Sequence, residues 1–571
     1  MIGMQMILYL DIETNVPPTK VWCVYTFDTE SEEYKCHTEP STLSPLLDRA
    51  DKVVAHNLIG FDAPTLNRLW KTKIGLTKAI DTLILSRLLN PSLEGGHSLD
   101  AWGKRLGKKK IDYSRLYWRL QGRRDVPKDN IAHFNEPHTA AMQRYCKRDV
   151  EVLVKLHKYL DADLKDLAFS DQSVQLEHRV AAIVQKQVDN GFSFDTEKAQ
   201  ALLAELSGRV ADIEGELQEV FPPIVTERYS EKTGKRLKDK VEVFNLASRK
   251  QIAERLASVG VEFNESTDKG NIVVNEKVLD GIDRPEAKLL NEYLLIQKRV
   301  GLLKGWFDEV QEDGKIHGRL NTNGAVTGRM THFKPNMAQI PSVSSQYGAE
   351  CRDCFSAKED WVLVGADASG LELRMLAHYM KDEEYTNEIL NGDIHTKNQE
   401  AAGLPDRPKA KTFIYAFLYG AGDAKIGAII GGSARKGQAI KERFLSQTPA
   451  LARLQSEVKE ASHKGWLQGL DGRKVWVRSE HAALNTLLQS AGAIVMKQAL
   501  CILWRDLNRM KIPFGLCANV HDEWQIETPA PYANIVGQQA VVAIRNAGVL
   551  LKLRCPLDGE YKIGKTWKDT H

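Results

Sequence analysis

The chain has 571 residues, of which 43% are hydrophobic and 27% are charged, and its formal net charge is +3. A chain of this length can form three or four domains, each with its own core. The small net charge excludes a strong overall attraction to nucleic acid, so any phosphate binding depends on local clusters of cations.

Cysteine usage and hydropathy exclude further classes of protein. The eight cysteines are scattered, and only Cys351 and Cys354 form a C-x-x-C pair, which lacks the additional ligands of a tetrahedral zinc site. No apolar run approaches the roughly 18 residues of a membrane helix. Residues 4–10 lead into Asp11 without the features of a signal peptide. We therefore expect reduced thiols, no membrane span and a cytoplasmic protein.

Carboxylates recur at three places in the N-terminal part of the chain. Residues 8–14 predict a strand in which Asp11 and Glu13, two residues apart, lie on the same face. A second predicted strand at residues 53–57 leads to Asp62. Farther along, Tyr145 and Asp149 are one helical turn apart. The three segments together supply four carboxylates and a phenol.

An Asp-x-Glu pair alone occurs by chance in any charged protein, but order and spacing make this set specific. The pair Asp11-x-Glu13, then Asp62, then Tyr145-x3-Asp149 resembles the DEDDy class of 3′-5′ exonucleases. The resemblance implies a ribonuclease-H-like sheet and two-metal hydrolysis, with the four carboxylates holding the ions and Tyr145 orienting the water. No member of the set departs from the pattern, so we expect an active exonuclease.

Two other segments are rich in charged side chains, and each has two interpretations. Residues 104–124 carry basic and aromatic side chains that either guide single-stranded DNA toward the exonuclease site or form a solvated surface. Residues 221–244 are strongly charged and lie between helical patterns at 199–220 and 285–310, which predict a long antiparallel pair. This charged segment is either a solvated loop or a basic tip that touches duplex phosphates. The cationic and aromatic members of the first stretch include Lys108, Lys109, Lys110, Tyr113, Tyr117, Trp118, Arg123 and Arg124.

Two acidic segments in the C-terminal half suit a second metal site. Residues 360–367 predict a short strand that ends on Asp367, with a helical pattern from Ser369. Residues 517–526 predict a hairpin whose turn carries Asp522 and Glu523. Phosphoryl transfer requires divalent ions clamped by carboxylates from different strands. Asp367 and Asp522 are therefore candidate ligands, although an aspartate at a strand end is also a common turn former.

A cationic helix lies between these acidic segments in the sequence. Arg407, Lys411, Tyr415 and Tyr419 recur every four residues, which aligns them on one helical face. Cations near the positive end of the helix suit phosphates, and a ring one or two turns later can stack on a base or sugar. An ordinary surface helix has the same spacing, but the flanking carboxylates favour a nucleoside triphosphate site.

The C-terminal motifs, taken in order, resemble those of the family A DNA polymerases, the group of bacterial DNA polymerase I, with short phage replicases the most similar. The motifs are Asp-x-Ser-x-x-Glu-x-Arg, Arg-x3-Lys-x3-Tyr-x3-Tyr-Gly and Val-His-Asp-Glu, and with the exonuclease motif the resemblance extends from Tyr9 to the C-terminus. It implies an α/β plus α+β fold, with a ribonuclease-H-like exonuclease followed by a right-hand polymerase. The expected domains are exonuclease 1–170, thumb 171–310, palm 311–379 and 485–571, and fingers 380–484.

The resemblance also implies roles at the polymerase site. Asp367 and Asp522 hold two Mg²⁺ ions, the Ala368 carbonyl is a further ligand, and His521 and Glu523 support the primer end and the metals. A second group of residues binds the incoming nucleotide, with cations on the triphosphate and a glutamate that closes the sugar pocket against a 2′-hydroxyl. This nucleotide group consists of Arg407, Lys411, His395, Glu372, Tyr415 and Tyr419.

Tyr415 and the DNA contacts carry two further expectations from the resemblance. Many relatives have Phe at the position of Tyr415, and in the family a phenol there substitutes for a missing sugar 3′-hydroxyl, which predicts ready incorporation of dideoxynucleotides. The segment Thr327-Gly328-Arg329 begins a set of primer-template contacts that reaches the minor groove, where shared acceptors allow sequence-independent checking of base pairs. The set is Arg329, Asn336, Gln339, Asn485 and Gln489.

The implied cofactors are two Mg²⁺ ions at each site, with Mn²⁺ as a substitute. The implied partners are primer-template DNA and dNTPs, with a helicase-primase or single-strand-binding protein as candidate partners, and the expected state is a monomer. The sequence begins at the exonuclease motif, so we expect no 5′-nuclease domain.

Two alternative functions start from the same sequence. Residues 559–566 satisfy the P-loop pattern G-x4-G-K-T, but a P-loop opens a helix within an α/β domain, and only five residues follow here. A nuclease with an inactive polymerase half is the other alternative, and the intact Asp367, Lys411, Tyr415 and Asp522 argue against it.

Overall fold

The computed structural model describes residues 5–126, 131–137, 139–263, 266, 270 and 272–571. Met4, the start of the apolar N-terminal segment, lies outside these residues. The chain forms two compact units, one of residues 1–190, 318–338 and 363–563, and the other of residues 191–317, 339–362 and 564–571. The predicted α/β plus α+β class is confirmed, while the four-domain division stays a prediction.

The N-terminal part of the first unit is built on a five-stranded mixed sheet. The strand Ile7–Thr14 is central, antiparallel to Val21–Asp28 and parallel to Lys52–Ala55. Its even-numbered apolar residues pack into one core and Tyr9 packs on the opposite face, against the helix Thr139–Asp166. Because side chains alternate along a strand, Asp11 and Glu13 lie on the Tyr9 face, as predicted. The edge strands are Glu33–His37 and Ala79–Asp81.

Helices surround this sheet on both sides. The helix Thr139–Asp166 covers the face that carries Tyr9, and Tyr9 Oη lies 2.9 Å from His157 Nδ1. The helices of this part are Pro40–Arg49, Ala63–Leu69, Thr82–Leu89, Leu99–Arg105, Tyr113–Leu120, Ala132–Asn135, Thr139–Asp166 and Asp171–Asn190.

A four-stranded sheet forms the second centre of this unit. Its order is Gly515–Val520, Glu523–Pro529, Trp361–Ala368 and Gly559–Gly564, so the two predicted acidic segments lie on adjacent strands. The predicted hairpin is confirmed, with Val520 paired to Glu523 across a turn of His521 and Asp522. The helices Leu371–Met380, Ala483–Arg509 and Ala533–Leu550 accompany this sheet.

Six helices follow between residues 383 and 462. The predicted cationic helix spans Arg407–Leu418, and the Asp406 side chain caps it by accepting a hydrogen bond from the Lys409 backbone. Phe413, Phe417 and Phe444 form an aromatic cluster that fixes its buried face. The other helices are Glu383–Asn391, Ile394–Ala402, Asp423–Ile429, Ala434–Gln447 and Pro449–Ser462, and the hairpin Trp466–Gln468 with Lys474–Trp476 comes next. A short hairpin, Arg319–Asn321 with Thr331–Phe333, also belongs to this unit.

A buried ion cluster joins the helix Asp171–Asn190 to later parts of the first unit. Glu177 Oε1 lies 2.6 Å from both Arg473 Nη1 and Lys497 Nζ, and Arg473 also pairs with Asp471 at 2.6 Å. All four side chains are at most 3% exposed. An unpaired charge is costly at this depth, so the four side chains depend on one another for charge balance. We call these four residues the Glu177 cluster.

The second unit contains a small sheet and a helix pair. The strands Phe192–Phe194, Lys315–Ile316 and Phe355–Ser356 form the sheet. The helices Thr196–Val220 and Pro285–Phe307 pack together through Arg209 and Glu292, whose Nε and Oε1 atoms are 2.8 Å apart. This contact confirms that the two predicted helical patterns pair. Its remaining helices are Arg249–Ser258, Glu276–Asp280 and Gly348–Asp353.

The charged segment 221–244 is not the solvated loop of the first sequence interpretation, and the contact of a basic tip with duplex phosphates stays a prediction. The segment forms a two-stranded ribbon, Ile224–Tyr229 with Arg236–Glu242, rather than a loop. The β-branched residues on either side of a turn around Gly234 explain the strands. Arg236 pairs with Glu227 and Asp239, and Lys240 pairs with Glu242. These ion pairs offset part of the positive charge that the sequence suggested for a basic tip.

One helix of the described residues is long and apolar enough to cross a membrane by composition. It spans Glu480–Arg509, and 83% of its most apolar window is buried inside the protein. Burial of this extent is typical of a core helix, which passes the same test.

Candidate active sites

The structure brings the five predicted exonuclease residues together on one face of the N-terminal sheet. Asp11 and Glu13 extend from the central strand toward the helix that carries Tyr145 and Asp149. Asp62 ends a one-turn helix, Leu58–Asp62, at the end of a neighbouring strand. Burial, followed by the Asp11 charge, raises the pKa of both Glu13 and Asp62, as expected of neighbouring buried carboxylates.

Asp81, which the sequence did not single out, fixes the turn that carries Asp62. Its side chain accepts hydrogen bonds from the backbone of Asn57 at 2.9 Å and of Ile59 at 3.0 Å. Asn57 has a left-handed backbone with φ of 76°, which lets the chain leave the strand sharply. The carboxylate of Asp81 is therefore used by backbone groups and positions Asp62.

Burial raises the pKa values of all four carboxyl groups, and repulsion from neighbouring carboxylates adds to the rise at Asp11, Glu13 and Asp62. Burial, followed by the nearby Asp149, raises the pKa of Asp11 to about 7. Burial raises the pKa of Asp149 to about 6, although the Lys110 ammonium acts in the opposite direction. The pKa values of Glu13 and Asp62 lie well above their usual range for the same reasons. A bound cation would stabilise the charged forms of this cluster.

The donor set fits hard divalent cations. Asp149 Oδ1 is buried and has no hydrogen-bond partner, so one carboxylate oxygen is available in a dry site. The ligand atoms of Asp11, Glu13 and Cys146 lie within 4.8 Å of one another. Burial raises the pKa of the Cys146 thiol well above its usual range, and the thiol contacts the Asp11 backbone oxygen at 3.3 Å. Carboxylate oxygens, which Mg²⁺ and Mn²⁺ prefer, are therefore the candidate ligands.

The basic and aromatic stretch 104–124 divides into buried and exposed members. Tyr113, Tyr117 and Trp118 are buried in a core cluster and so are not free to stack on bases. Lys109 and Arg124 are exposed. Lys110 instead enters the exonuclease site, where its Nζ lies 2.5 Å from Asp149 Oδ2. The sequence could not reveal this pairing, because only the fold brings the two residues together.

Asp367 and Asp522 lie side by side at adjacent strand ends. The Ala368 backbone N–H donates to the Asp522 carbonyl oxygen at 3.2 Å. His521 has a left-handed φ of 58°, which allows the two-residue turn of His521 and Asp522. Burial, then the charges of Asp522 and Glu523, raise the pKa of Asp367 to about 7. Burial also raises the pKa of Asp522. The pKa values of Asp367 and Asp522 are therefore raised by burial, as are those of the four exonuclease carboxylates.

A glycine on the next strand allows a close approach behind Asp367. A Cβ atom on Gly559 would lie 2.8 Å from the Asp367 backbone oxygen. Gly559–Gly564 is a strand of the four-stranded sheet, not a loop that opens a helix. The P-loop pattern at residues 559–566 therefore has a structural reason unrelated to phosphate binding.

Glu372 connects two other predicted site residues. The Tyr419 hydroxyl donates to Glu372, with 2.7 Å to Oε1 and 2.8 Å to Oε2. Arg329 Nη2 donates to Glu372 Oε1 at 3.3 Å. A predicted DNA contact and two predicted nucleotide contacts thus meet at one carboxylate.

Arg407, at the start of the helix Arg407–Leu418, contacts the N-terminal cap of a second helix. Arg407 donates to Asp393 through Nε at 2.6 Å and Nη2 at 3.2 Å. Asp393 also caps the helix Ile394–Ala402 by accepting from the His395 backbone at 3.1 Å. The rings of His395 and Tyr415 are 6.3 Å apart, and Lys411 is exposed. Asp393 was not predicted, although its place before a helix is a typical cap signal.

The remaining predicted DNA-binding residues do not form a single cluster. Asn485 and Gln489 are half-buried and one turn apart on the helix Ala483–Arg509. The Asn336 side chain accepts from the Ala338 backbone at 3.2 Å, and Gln339 belongs to the second compact unit. Arg329, His521 and Asp522 line one small pocket.

Comparison with known proteins identifies the family. The model of DNA polymerase family A matches residues 225–569, and the model of a 3′-5′ exonuclease matches residues 14–165. The chain belongs to DNA polymerase family A. This polymerase is template-directed, carries a 3′-5′ exonuclease domain and, like its family, depends on divalent metal ions. The exonuclease match begins after Asp11 and Glu13, so the geometry described above is what joins these two residues to the site.

The relatives of the polymerase include phage enzymes of similar extent. The DNA-directed DNA polymerase of Escherichia phage T7 is 37% identical, with 98% of this chain and 99% of that protein covered. The enzyme of Enterobacteria phage T3 is also 37% identical, with 99% and 100% covered. The T7 alignment is 710 positions long, so that relative carries segments without a counterpart in these 571 residues.

A solved structure supports the fold alone. The POL domain of Pol1 from M. smegmatis, in complex with DNA primer-template and dNTP, matches with a TM-score of 0.79 and 18% identity, covering 100% of this chain and 96% of that chain. The right-hand polymerase with an N-terminal exonuclease-type sheet is therefore a confirmed expectation.

Proposed function

We propose that two separate carboxylate sites carry the two activities of this polymerase. Asp367 and Asp522, with the Ala368 carbonyl, hold Mg²⁺ for nucleotide addition to a primer 3′ end. Asp11, Glu13, Asp62 and Asp149 hold Mg²⁺ for removal of 3′ nucleotides. The observation that carries the first assignment is the adjacency of Asp367 and Asp522, linked through the Ala368 N–H and the Asp522 carbonyl.

At the polymerase site, the ions would activate the primer 3′ oxygen and offset charge on the triphosphate. Arg407, Lys411 and His395 bind the phosphates, and Arg407 exchanges its bond with Asp393 for a phosphate oxygen as the nucleotide enters. The Tyr415 ring packs on the sugar and base. Glu372, held by Tyr419, closes the sugar pocket against a 2′-hydroxyl. His521 and Glu523 support the primer end.

At the exonuclease site, the ions would activate water and stabilise the leaving 3′ oxygen. Tyr145 orients the attacking water through its hydroxyl. Burial, then the Asp149 charge, raise the pKa of Tyr145 far above the ordinary value, so the phenol stays protonated and acts as a hydrogen-bond donor.

The proposed substrates are primer-template DNA and dNTPs. Arg329, Asn336, Gln339, Asn485 and Gln489 contact the duplex without reading its sequence. We further propose the domain division 1–170, 171–310, 311–379 with 485–571, and 380–484. A monomer in the cytoplasm of a bacterial host, with a helicase-primase or single-strand-binding protein as partner, completes this proposal.

Paired assays of single-site variants test the two assignments. Primer extension and 3′ digestion of single-stranded DNA are measured with Mg²⁺ for the parent, for Asp367→Ala and for Asp11→Ala combined with Glu13→Ala. We expect Asp367→Ala to lose extension and keep digestion, and the double variant to show the reverse. Loss of both activities in a folded variant, or of neither, would contradict separate sites.

A further inference from the structure

We propose that Lys110 is a positioning residue of the exonuclease site, whose ammonium group orients the Tyr145 hydroxyl and the Asp149 carboxylate. The inference rests on the proposed exonuclease function of this site. It gives a role in proofreading to a residue that the sequence alone placed in a DNA-guiding or solvated stretch.

The geometry of Lys110 supports this role directly. Its Nζ lies 2.5 Å from Asp149 Oδ2 and donates to the Tyr145 oxygen at 3.2 Å. The same nitrogen lies 5.0 Å from the centre of the Tyr145 ring. The Lys110 side chain is only 18% exposed, and that of Asp149 is 2% exposed. An ammonium at this depth is held by its partners rather than by water.

The backbone around Lys110 is fixed independently of these contacts. The Lys108 N–H donates to the Gly103 carbonyl at 2.8 Å, and a Cβ on Gly103 would lie 2.8 Å from the Lys108 oxygen. Lys108 Nζ pairs with Glu151 at 2.9 Å, two residues beyond Asp149 on the same helix. Lys108 and Lys110 therefore both pair with that helix, whereas Lys109 between them is exposed.

Tyr145 is confined from the other side by an aromatic ring. The Tyr113 ring stacks on it with centroids 5.4 Å apart and an interplanar angle of 15°. The ring position is thus set by Tyr113, and the hydroxyl position by Lys110. With Lys110 as donor, the Tyr145 oxygen accepts one hydrogen bond, and the Tyr145 hydroxyl also interacts with the Asp149 carboxylate that Lys110 contacts.

The two oxygens of Asp149 have different surroundings. Oδ2 contacts Lys110, whereas Oδ1 is buried without a hydrogen-bond partner. Lys110 thereby leaves Oδ1 as the oxygen available to a divalent cation. It also fixes the carboxylate plane, as hydrogen bonds to metal-binding carboxylates commonly do.

A matched pair of lysine variants tests the proposal. Lys110→Met and Lys109→Met each remove one positive charge from the same segment, but only Lys110 reaches the site. Steady-state 3′ digestion of a single-stranded oligonucleotide with Mg²⁺ gives kcat and KM. We expect Lys110→Met to lower kcat by about tenfold or more with KM nearly unchanged, because a positioning role acts in the transition state. Lys110→Arg should recover part of kcat. Lys109→Met should keep the parent kcat, with any change confined to KM, because Lys109 is an exposed member of the candidate DNA-guiding stretch.

A double-mutant cycle with Tyr145→Phe separates positioning from a general effect on folding. If Lys110 acts through the hydroxyl, Lys110→Met costs clearly less in the Tyr145→Phe background than in the parent. An equal cost in both backgrounds, or a rise in KM at constant kcat, overturns the proposal. Primer extension serves as the control and should stay at the parent value, and a cooperative thermal transition shows that each variant is folded.

The same experiment distinguishes failure of this inference from failure of the underlying site. Asp149→Asn is assayed alongside the lysine variants. If Asp149→Asn keeps full digestion, the proposed exonuclease site is wrong. If it abolishes digestion while Lys110→Met has no effect, the site stands and only the role of Lys110 is overturned.

Discussion

Substitution of Glu177 by Gln is the sharpest test of how the first compact unit is held together. Glu177 Oε1 accepts from Arg473 and Lys497, each at 2.6 Å, and its side chain is fully buried. Glutamine keeps the shape but removes one of the two anions of the cluster, which leaves Asp471 with the two buried cations, Arg473 and Lys497. Removing one partner of a buried pair typically costs about 3–5 kcal/mol, because the other charge is left uncompensated.

The expected shift in melting temperature follows from this loss of free energy and from the number of residues in the first compact unit. The unit contains roughly 400 residues, so a loss of about 4 kcal/mol lowers its melting temperature by about 5 °C. Differential scanning calorimetry measures the shift. Asp189→Asn is the matched control, since Asp189 lies on the same helix but pairs with Lys186 at 3.7 Å on the exposed surface. That variant should stay within about 0.5 kcal/mol of the parent.

A second variant tests whether the Lys497 cation, left without Glu177, causes the loss of stability. Lys497→Met removes that cation, so we expect the double variant Glu177→Gln with Lys497→Met to melt higher than Glu177→Gln alone. A double variant that is less stable than either single variant would refute the reasoning. A Glu177→Gln variant with the same melting temperature as the Asp189→Asn control would also refute the reasoning.

Three further predictions concern charge and nucleotide selection. Burial lowers the pKa of Lys497 to about 8, below its unfolded value. The folded protein therefore releases this proton at lower pH than the unfolded chain, and the parent should gain stability as the pH rises from about 8 toward 10. Melting curves at several pH values should show this gain in the parent and not in Lys497→Met. Asp393→Asn keeps a helix cap but frees Arg407, so KM for dNTPs should fall by about two- to fivefold in primer extension, and an increase would contradict the exchange of partners. Tyr415→Phe should discriminate against dideoxynucleotides more strongly than the parent in competition assays, and equal discrimination would count against the role of the phenol.

Local periodicity explains why much of the fold was predictable from the sequence. The alternation around Asp11 and Glu13 and the strand that carries Asp367 depend on neighbouring residues, and both elements were confirmed, with the second strand ending one residue later than predicted, at Ala368. The four-residue spacing of the helix that begins at Arg407 is local in the same way. The carboxylate sites follow from these elements once the order of strands in each sheet is known.

Contacts between distant segments explain what the sequence did not reveal. Lys110 and Asp149 are 39 positions apart, and no local pattern states which acid a lysine will meet. The partner of Arg407 and the Glu177 cluster are likewise products of tertiary packing. The ribbon at residues 224–242 was missed because its many charges outweighed the short β-branched run of Ile224, Val225 and Thr226.

Anomalous diffraction from crystals of the polymerase soaked in Mn²⁺ tests the central claim of two carboxylate metal sites most directly. The account predicts anomalous density at Asp367 and Asp522, and separately among Asp11, Glu13, Asp62 and Asp149. Density confined to one cluster, or ions bound away from both, would contradict it.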